Sequence, residues 1–479
     1  MTKTDVLIIG GGISGLAVAR ELSRYEVDTT LVEREADVGW GQTKASYAIR
    51  HPGVRWPSGS LAQQMIVKGN RLMDQLIKDL DIEFKAVGEL VLAFNPAELA
   101  ALAFMKKAGE RIRVRGLEII DQPEIRRREP HVNPAAIAAL YMPTAGVFNP
   151  FDLVFAFYEN ARDNGVRMRM DTEVLEIIPE NGRFLVSTSQ GEIQAAYIVN
   201  AAGLVADKVA QMAGSPRFKI TSATKGSCLV LDRRLGDVVQ HIVTGMHDPG
   251  AVTRYKLVTP TFHEKLLIYS SFPEPAKGID DRAMAKRVFD VTIQHARDLV
   301  PDVDFEGNII AAFSSIAAKN DRGDFILEAS PDCPGFIHVA PTPPGITASA
   351  AIGRHVVDLL EKRGLNLQAK RHYHPGRQGT TSLRKLSPAD KEALVQHDPR
   401  FGRVICRCET VTEGEIVEAI RRGATTLDGI KFRTLASMGR CQSNYCGPAL
   451  ADILARELGQ PVEQVTKKGR NSRYADASN

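Results

Sequence analysis

The 479-residue sequence predicts an α/β protein with a βαβ-based domain, an antiparallel-sheet domain and a small helical C-terminal unit. Three observations predict it. A buried strand runs into a glycine-rich turn, a helix and a second strand at the N-terminus. Residues 218–313 lose that βα rhythm and read mostly as strands. Four of the six cysteines crowd between Cys406 and Cys446.

Composition narrows the classes. An apolar share of 44% and a charged share of 25% are those of a globular chain with a core to bury. Length alone favours several units. A net charge of +4 is too weak to argue for nucleic acid. No run approaches the roughly 18 apolar residues of a membrane helix, and no basic segment leads into an apolar run and a cleavage site. The expected location is cytoplasmic, with membrane association open through a partner. Six cysteines in such a length do not make a disulfide scaffold; Cys228 and Cys333 are isolated, and the clustered four suggest metal.

Residues 5–10 form a continuous apolar run, 16–25 read as a helix and 29–33 as the next strand. Helical spacing recurs at 61–80, 97–115 and 152–164, the last stopped by Gly165. Residues 167–178 and 183–187 alternate like strands, and 197–203 is a buried strand ending in a glycine turn. Strands are expected at 228–231, 252–258 and 265–270, with one helix at 284–299. A buried strand at 335–340 precedes a Pro/Gly turn and a helix at 347–361. Residues 364–400 are rich in Arg, His, Gly and Ser and read as a linker; the tail after Lys467 should fray.

Gly10-x-Gly12-x-x-Gly15 between strand and helix, with Glu33 18 residues after Gly15, is the Rossmann-like dinucleotide pattern. Gly10 permits the tight turn, Gly12 admits a pyrophosphate and Gly15 lets the helix pack on the strand. The phosphates would meet free N–H groups at the helix start, beside Ser14. Glu33 can accept hydrogen bonds from a ribose.

Glu33-Arg34 leads into Gly41-Gln-Thr43-Lys44-Ala45-Ser46; Asn200-Ala-Ala202-Gly203 ends a strand; Pro344-Gly345-Ile346-Thr347 opens a late helix. Together these resemble the D-amino-acid-oxidase superfamily. The resemblance implies FAD and a discontinuous cofactor domain, in which the chain returns to the flavin three times; no residue compels a covalent link, so the FAD is expected to be bound non-covalently. It adds Val174 to the cofactor-binding set. A helix N-terminus at Gly345-Ile346-Thr347 would favour an anionic reduced flavin.

The run Thr43 to Gly53, then Pro57-x-Gly59-Ser-Leu61, Gly69-Asn-Arg71 and Gly88-Glu-Leu-Val-Leu-Ala93, resembles L-2-hydroxyglutarate oxidases and the large subunit of anaerobic glycerol-3-phosphate dehydrogenase. Arg50 and Pro52 depart from that pattern on either side of His51. The resemblance implies His51 facing the flavin as proton acceptor or neighbour. It also implies Arg322, in Lys319-Asn-Asp-Arg-Gly-Asp324, as an anion clamp. His263 in the substrate sheet is a further catalytic candidate, and Lys319 a secondary one.

Cys406-x-Cys408, 32 residues, then Cys441-x4-Cys446 offers four thiolates, the complement of a [2Fe–2S] cluster or of structural zinc. The runs from Cys406 to Ile416, from Gly439 to Cys441 and from Tyr445 to Pro448 resemble the bacterioferritin-associated-ferredoxin type of domain, which implies the cluster. Helices at 413–422 and 448–458 would carry the two cysteine loops.

The resemblances imply an FAD-binding domain over 1–80, 146–215 and 320–363 and a substrate domain over 81–145 and 216–319. A linker over 364–400, a [2Fe–2S] domain over 401–460 and a tail over 461–479 follow. A flavin joined to an iron–sulfur domain reads as a dehydrogenase. It would oxidise a small anionic hydroxy compound, glycerol-3-phosphate or a 2-hydroxy acid, and release electrons to a second redox protein, either a flavoprotein or a quinone-linked membrane protein. The alternatives are oxidation of an amino acid or opine at a CH–NH bond, and an electron-transfer subunit without a substrate of its own.

Overall fold

The computed structural model describes residues 1–246, 255–275, 278 and 281–475. The first sheet is built on the N-terminal apolar strand. Thr2–Ile9 pairs in parallel with Thr29–Val32 on one side and Gly191–Asn200 on the other. Arg167–Arg169 extends one edge, and Phe336–Ala340 also pairs with Gly191–Asn200 in parallel. Parallel strands are buried on both faces, which is why Val6, Leu7 and Ile8 form an unbroken apolar run. Helices Ile13–Leu22, Pro150–Asp163 and Gly345–Lys362 cover one face. Two of them approach closely because Gly353 has no side chain: a Cβ there would lie 2.6 Å from the Ala17 carbonyl oxygen.

The second sheet has eight strands in the order Ile309–Asn320, Ile220–Leu231, Leu266–Pro275, Tyr255–Pro260, Ile242–Gly245, Glu89–Ala93, Ala138–Met142 and Glu118–Asp121. It is antiparallel except where Ile242–Gly245 and Glu89–Ala93 run parallel, a crossover that strand patterning cannot reveal. Helix Lys286–Leu299 covers one face. The opposite face packs on Tyr47, Ile49, Ala145 and Val147, where Ile49–Arg50 and Gly146–Phe148 pair in a small sheet of their own.

Several elements differ from expectation. The first helix begins at Ile13, three residues before residue 16, because Gly12 already serves as its N-cap. The strand expected over 167–178 is broken at Asp171, whose φ is 52°. Residues 252–254 of an expected strand lie outside the described residues. The segment 364–400 is not a loose linker. It carries helix Pro388–His397, and its Arg377 is buried between Asp152 at 2.9 Å and Glu159 at 2.6 Å. The tail does not fray before residue 475: Arg470 donates to the Arg34 carbonyl at 2.6 Å, and Thr466 bridges to Arg473.

The C-terminal unit has a ribbon, Val404–Cys406 with Val411–Thr412, and helices Glu413–Arg421, Leu427–Thr434 and Gly447–Leu458 around its own core. Thr412 and Glu415 form a capping box at the first of these helices. Helix Leu427–Thr434 escaped the sequence reading for a physical reason. It has no single apolar face, since Ile430 enters the unit's core while Phe432 and Arg433 dock on the first domain.

Candidate active site and cluster site

The glycine loop is shaped by what a side chain would strike. A Cβ on Gly15 would sit 2.0 Å from the Gly10 carbonyl oxygen, and one on Gly10, at φ 110°, 2.5 Å from the Ala201 carbonyl oxygen. At Gly12 a Cβ would meet only Thr43 Oγ1, at 3.6 Å, and would fill the approach to the helix start. Its N-cap, Gly12, offers no side chain, so apart from the Ile13 N–H, which Thr43 takes, its first N–H groups are available to an anion. Glu33 uses one carboxylate oxygen to accept from Gly11 N–H at 2.7 Å and the other from Glu35 N–H at 3.0 Å. Burial raises its pKa. Thr172 N–H donates to the Glu33 carbonyl, which sets Val174 beside Ile9 and Val32.

The distant segments converge on this loop. Ile13 N–H donates to Thr43 Oγ1 at 3.2 Å. Gly203 lies against Gln42, and Gly345 against Ile13. Thr347 Oγ1 accepts from His51 N–H at 3.0 Å and donates to the Ile49 carbonyl at 3.1 Å. Two uncapped helix starts, Ile13–Leu22 and Gly345–Lys362, therefore face one cradle, which fits an anionic dinucleotide. Ser14, Ala45, Ser46, Ala202 and Ile346 stand in these segments. Lys44 departs from expectation: its ammonium leaves the loop and lies 5.2 Å over the Trp40 ring and 5.8 Å over Phe432. Burial lowers its pKa to about 8. Arg34 turns outward to Glu35 at 3.4 Å.

His51 is 1% exposed, and neither ring nitrogen has a hydrogen-bond partner. Its ring stands 5.8 Å from Tyr47 and 5.2 Å from Trp56. Burial lowers its pKa to about 4, reinforced by Arg55 and opposed by Glu89. At neutral pH it is an uncharged imidazole able to accept a proton. Tyr47 packs on Tyr255 at 5.8 Å and Tyr269 at 4.5 Å, and burial pushes all three phenols upward. Arg55 pairs with Glu89 at 2.6 Å in the same cluster.

The structure does not bring the other two catalytic candidates here. Arg322 sits in the turn after Ile309–Asn320, where it holds both Glu328 oxygens at 2.9 Å and the Arg217 carbonyl at 2.9 Å. Its guanidinium is spent on a surface pair. His263 lies on the turn between Tyr255–Pro260 and Leu266–Pro275, with Nε2 3.1 Å from Glu83. That turn faces the C-terminal unit, since Lys265 pairs with Glu409 at 2.6 Å. Lys319 remains on its strand, half-buried. Sequence reasoning did not single out Arg55 and Glu89, which the structure places in the His51 cluster. The available signal was an acid heading an otherwise apolar strand, Glu89-Leu-Val-Leu-Ala93.

The four C-terminal cysteines stand as two thiol pairs, Cys406 with Cys446 and Cys408 with Cys441. The hydrogen bond within the first pair pulls the Cys446 pKa down and pushes that of Cys406 up. The loops touch because Gly439 has no side chain: a Cβ there would lie 2.2 Å from Cys408 Cβ. Leu435, Ser437, Gln442 and Ser443 all have positive φ. This is strain held by the loops, and it turns N–H groups toward sulfur: the Ser437 N–H reaches Cys406 and the Cys441 N–H reaches Cys408. Among the described residues no three His, Cys, Asp or Glu side chains are grouped to hold one metal ion. Two thiol pairs suit a two-iron cluster, which takes two thiolates at each iron.

Residues 5–359 match the family model described as FAD dependent oxidoreductase. The chain belongs to that family. Residues 404–456 match the BFD-like [2Fe-2S] binding domain, so the protein is an FAD-dependent oxidoreductase with a [2Fe–2S] domain. It is 36% identical to a glycerol 3-phosphate dehydrogenase of Caloramator mitchellensis, over 98% of this chain and 97% of the relative. It is 26% identical to one subunit of the anaerobic glycerol-3-phosphate dehydrogenase of Escherichia coli (strain K12), over 97% of this chain and 91% of the relative. Its fold matches an FAD-bound L-alpha-glycerophosphate oxidase of Mycoplasma pneumoniae with a TM-score of 0.72 and 24% identity, covering 78% of this chain and 98% of that one. No helix among the described residues is long and apolar enough to cross a membrane.

Proposed function

We propose that the protein is a dehydrogenase of a small anionic hydroxy compound, with glycerol-3-phosphate the first substrate to try. The observation that carries the reading is His51: buried, uncharged at neutral pH, with both ring nitrogens unpartnered and its backbone tied to Thr347. FAD supplies the two-electron acceptor and the [2Fe–2S] cluster a one-electron carrier. His51 accepts the hydroxyl proton at a ring nitrogen. Tyr47, Trp56 and Tyr255 exclude water, and Thr347 fixes the backbone of His51 against the flavin-binding helix. Gly10, Gly12 and Gly15 shape the dinucleotide cradle, while Glu33 braces its loop and reaches the ribose. The electron acceptor is a second redox protein in the same assembly. Support for this comes from the Escherichia coli relative, whose name makes it one subunit of its dehydrogenase. Membrane association would then come through that partner.

Anaerobic mixing with glycerol-3-phosphate should bleach the flavin in one turnover. Bleaching should survive Cys441→Ser, while the cluster's visible absorption and multiple turnover with the partner are lost. A flavin left oxidised by both glycerol-3-phosphate and 2-hydroxy acids would refute the reading.

A further inference from the structure

We infer that Arg55 and Glu89 are the specificity-determining pair of this site: Arg55 receives the substrate's anionic group, and Glu89 accepts a hydrogen bond from the hydroxyl beside it. The inference rests on the dehydrogenase reading of the His51 cluster.

The two residues reach each other from separate elements, the loop after His51 and the first position of Glu89–Ala93. Glu89 is 0% exposed and the Arg55 side chain 17%. One contact joins them, Arg55 Nη2 to Glu89 Oε1 at 2.6 Å, and Thr244 Oγ1 braces both, at 2.6 Å from the guanidinium and 3.2 Å from the carboxylate. Tyr255 lies 5.2 Å beneath the guanidinium. What remains is unmatched. Arg55 Nε, Glu89 Oε2, Tyr255 Oη and both His51 nitrogens are buried without partners. A buried charge left with open valences is costly, and here five such atoms from four residues share one cluster. These open atoms have a definite chemistry. Arg55 needs an acceptor, which a carboxylate or phosphate oxygen provides. Glu89 needs a donor, which a hydroxyl provides. The imidazole stands in the same cluster to accept the proton of the hydroxyl that is oxidised, a different O–H from the one Glu89 reads. Arg322 is spent on Glu328, and among the described residues Arg55 brings a guanidinium to this cluster.

The test uses the complete holoenzyme. Arg55→Met/Glu89→Leu removes both charges together, so neither is stranded, and bound FAD reports folding. Flavin bleaching is followed anaerobically with glycerol-3-phosphate and with 2-hydroxyglutarate, and flavin spectral shifts are titrated with inorganic phosphate. The double variant should keep its FAD and need about 10- to 100-fold more substrate for half-maximal bleaching. Its phosphate affinity should fall in parallel, while Arg322→Met changes neither. Whichever compound bleaches the wild type at lower concentration identifies the anion as phosphate or carboxylate. Half-saturation unchanged in the double variant overturns the inference. So does a wild type bleached by a 2-amino acid in a manner abolished by Glu89→Gln, because Glu89 would then read an ammonium. If neither hydroxy compound bleaches the wild type, the dehydrogenase reading fails, while the phosphate titration still decides whether Arg55 binds anions.

Discussion

Two buried arginine–carboxylate pairs in this molecule do different work. Arg433 and Asp37 join the C-terminal unit to the first domain. Both Asp37 oxygens are taken by Arg433, whose Nη1 also donates to the Gly429 carbonyl at 3.1 Å. Its unpaired Nε is covered by the Phe155 ring, 3.8 Å from the guanidinium carbon, and the neighbouring Phe432 stacks on Phe151 at 4.6 Å. Arg55 and Glu89 meet through one oxygen and leave the other open beside an unpartnered imidazole. The closed pair is a fastener. The open pair is a receptor. Burial does not separate the two roles; the place of the open atoms does, since those of Arg55 and Glu89 lie in one cluster with the unpartnered His51 ring.

Breaking the closed pair should have the largest effect on stability and none on substrate affinity. Arg433→Met strands the Asp37 carboxylate, at a cost of about 3–5 kcal/mol. The thermal midpoint should drop and proteolysis within 364–400 should accelerate, while half-saturation for flavin bleaching stays put. A variant as stable as the wild type would mean that Phe432 and Glu409 hold the unit without this pair.

The open cluster should show itself through pH. His51 titrates near pKa 4 when folded, against 6.5 as its ordinary value. As pH falls, the unfolded chain takes up the proton first. The stability from keeping His51 neutral is therefore whole above about pH 6.5 and drains between pH 6.5 and 4, by roughly 3 kcal/mol. His51→Asn should lose that part of the acid sensitivity, so its thermal midpoint gains on the wild type between pH 7 and pH 4.5. Parallel curves would show that His51 is not held neutral by the fold.

The smallest change sharpens the contrast. Thr244→Val removes the hydroxyl that braces Arg55 and Glu89 and should cost about 1 kcal/mol of stability. It should also raise the half-saturating substrate concentration several-fold, because the guanidinium loses its orientation. Flavin content should not change. A shift in stability with unaltered half-saturation would make Thr244 a packing residue only.

The legible parts were those written in local backbone chemistry. Gly10, Gly12 and Gly15 can be read because a tight turn and a phosphate approach exclude side chains within one short stretch. Cys406, Cys408, Cys441 and Cys446 can be read because thiolates have few other reasons to cluster. His51 was legible from its neighbours in the chain, since Thr43 to Gly53 forms one continuous segment. The helices at 61–80 and 347–361 followed from their apolar spacing, and the structure has them at Leu61–Asp79 and Gly345–Lys362.

What failed was reach and direction. Arg322 occupies a suggestive motif, but Glu328, six residues on, claims its guanidinium. His263 belongs to the substrate sheet, yet its turn faces the C-terminal unit. The stretch 364–400 looked like a linker because its apolar pattern is weak, while its anchor, Arg377, is held by charge. By itself the sequence determined the α/β class and the two cofactors, and it singled out the glycine loop and the four cysteines as their expected places, since each depends on residues close together in the chain or on chemistry with few other uses. Only the tertiary structure decided that Arg55, Glu89, Thr244 and Tyr255 share one cluster. They come from four separate stretches of the chain, and the free energy of a buried charge depends on every neighbour the fold places around it.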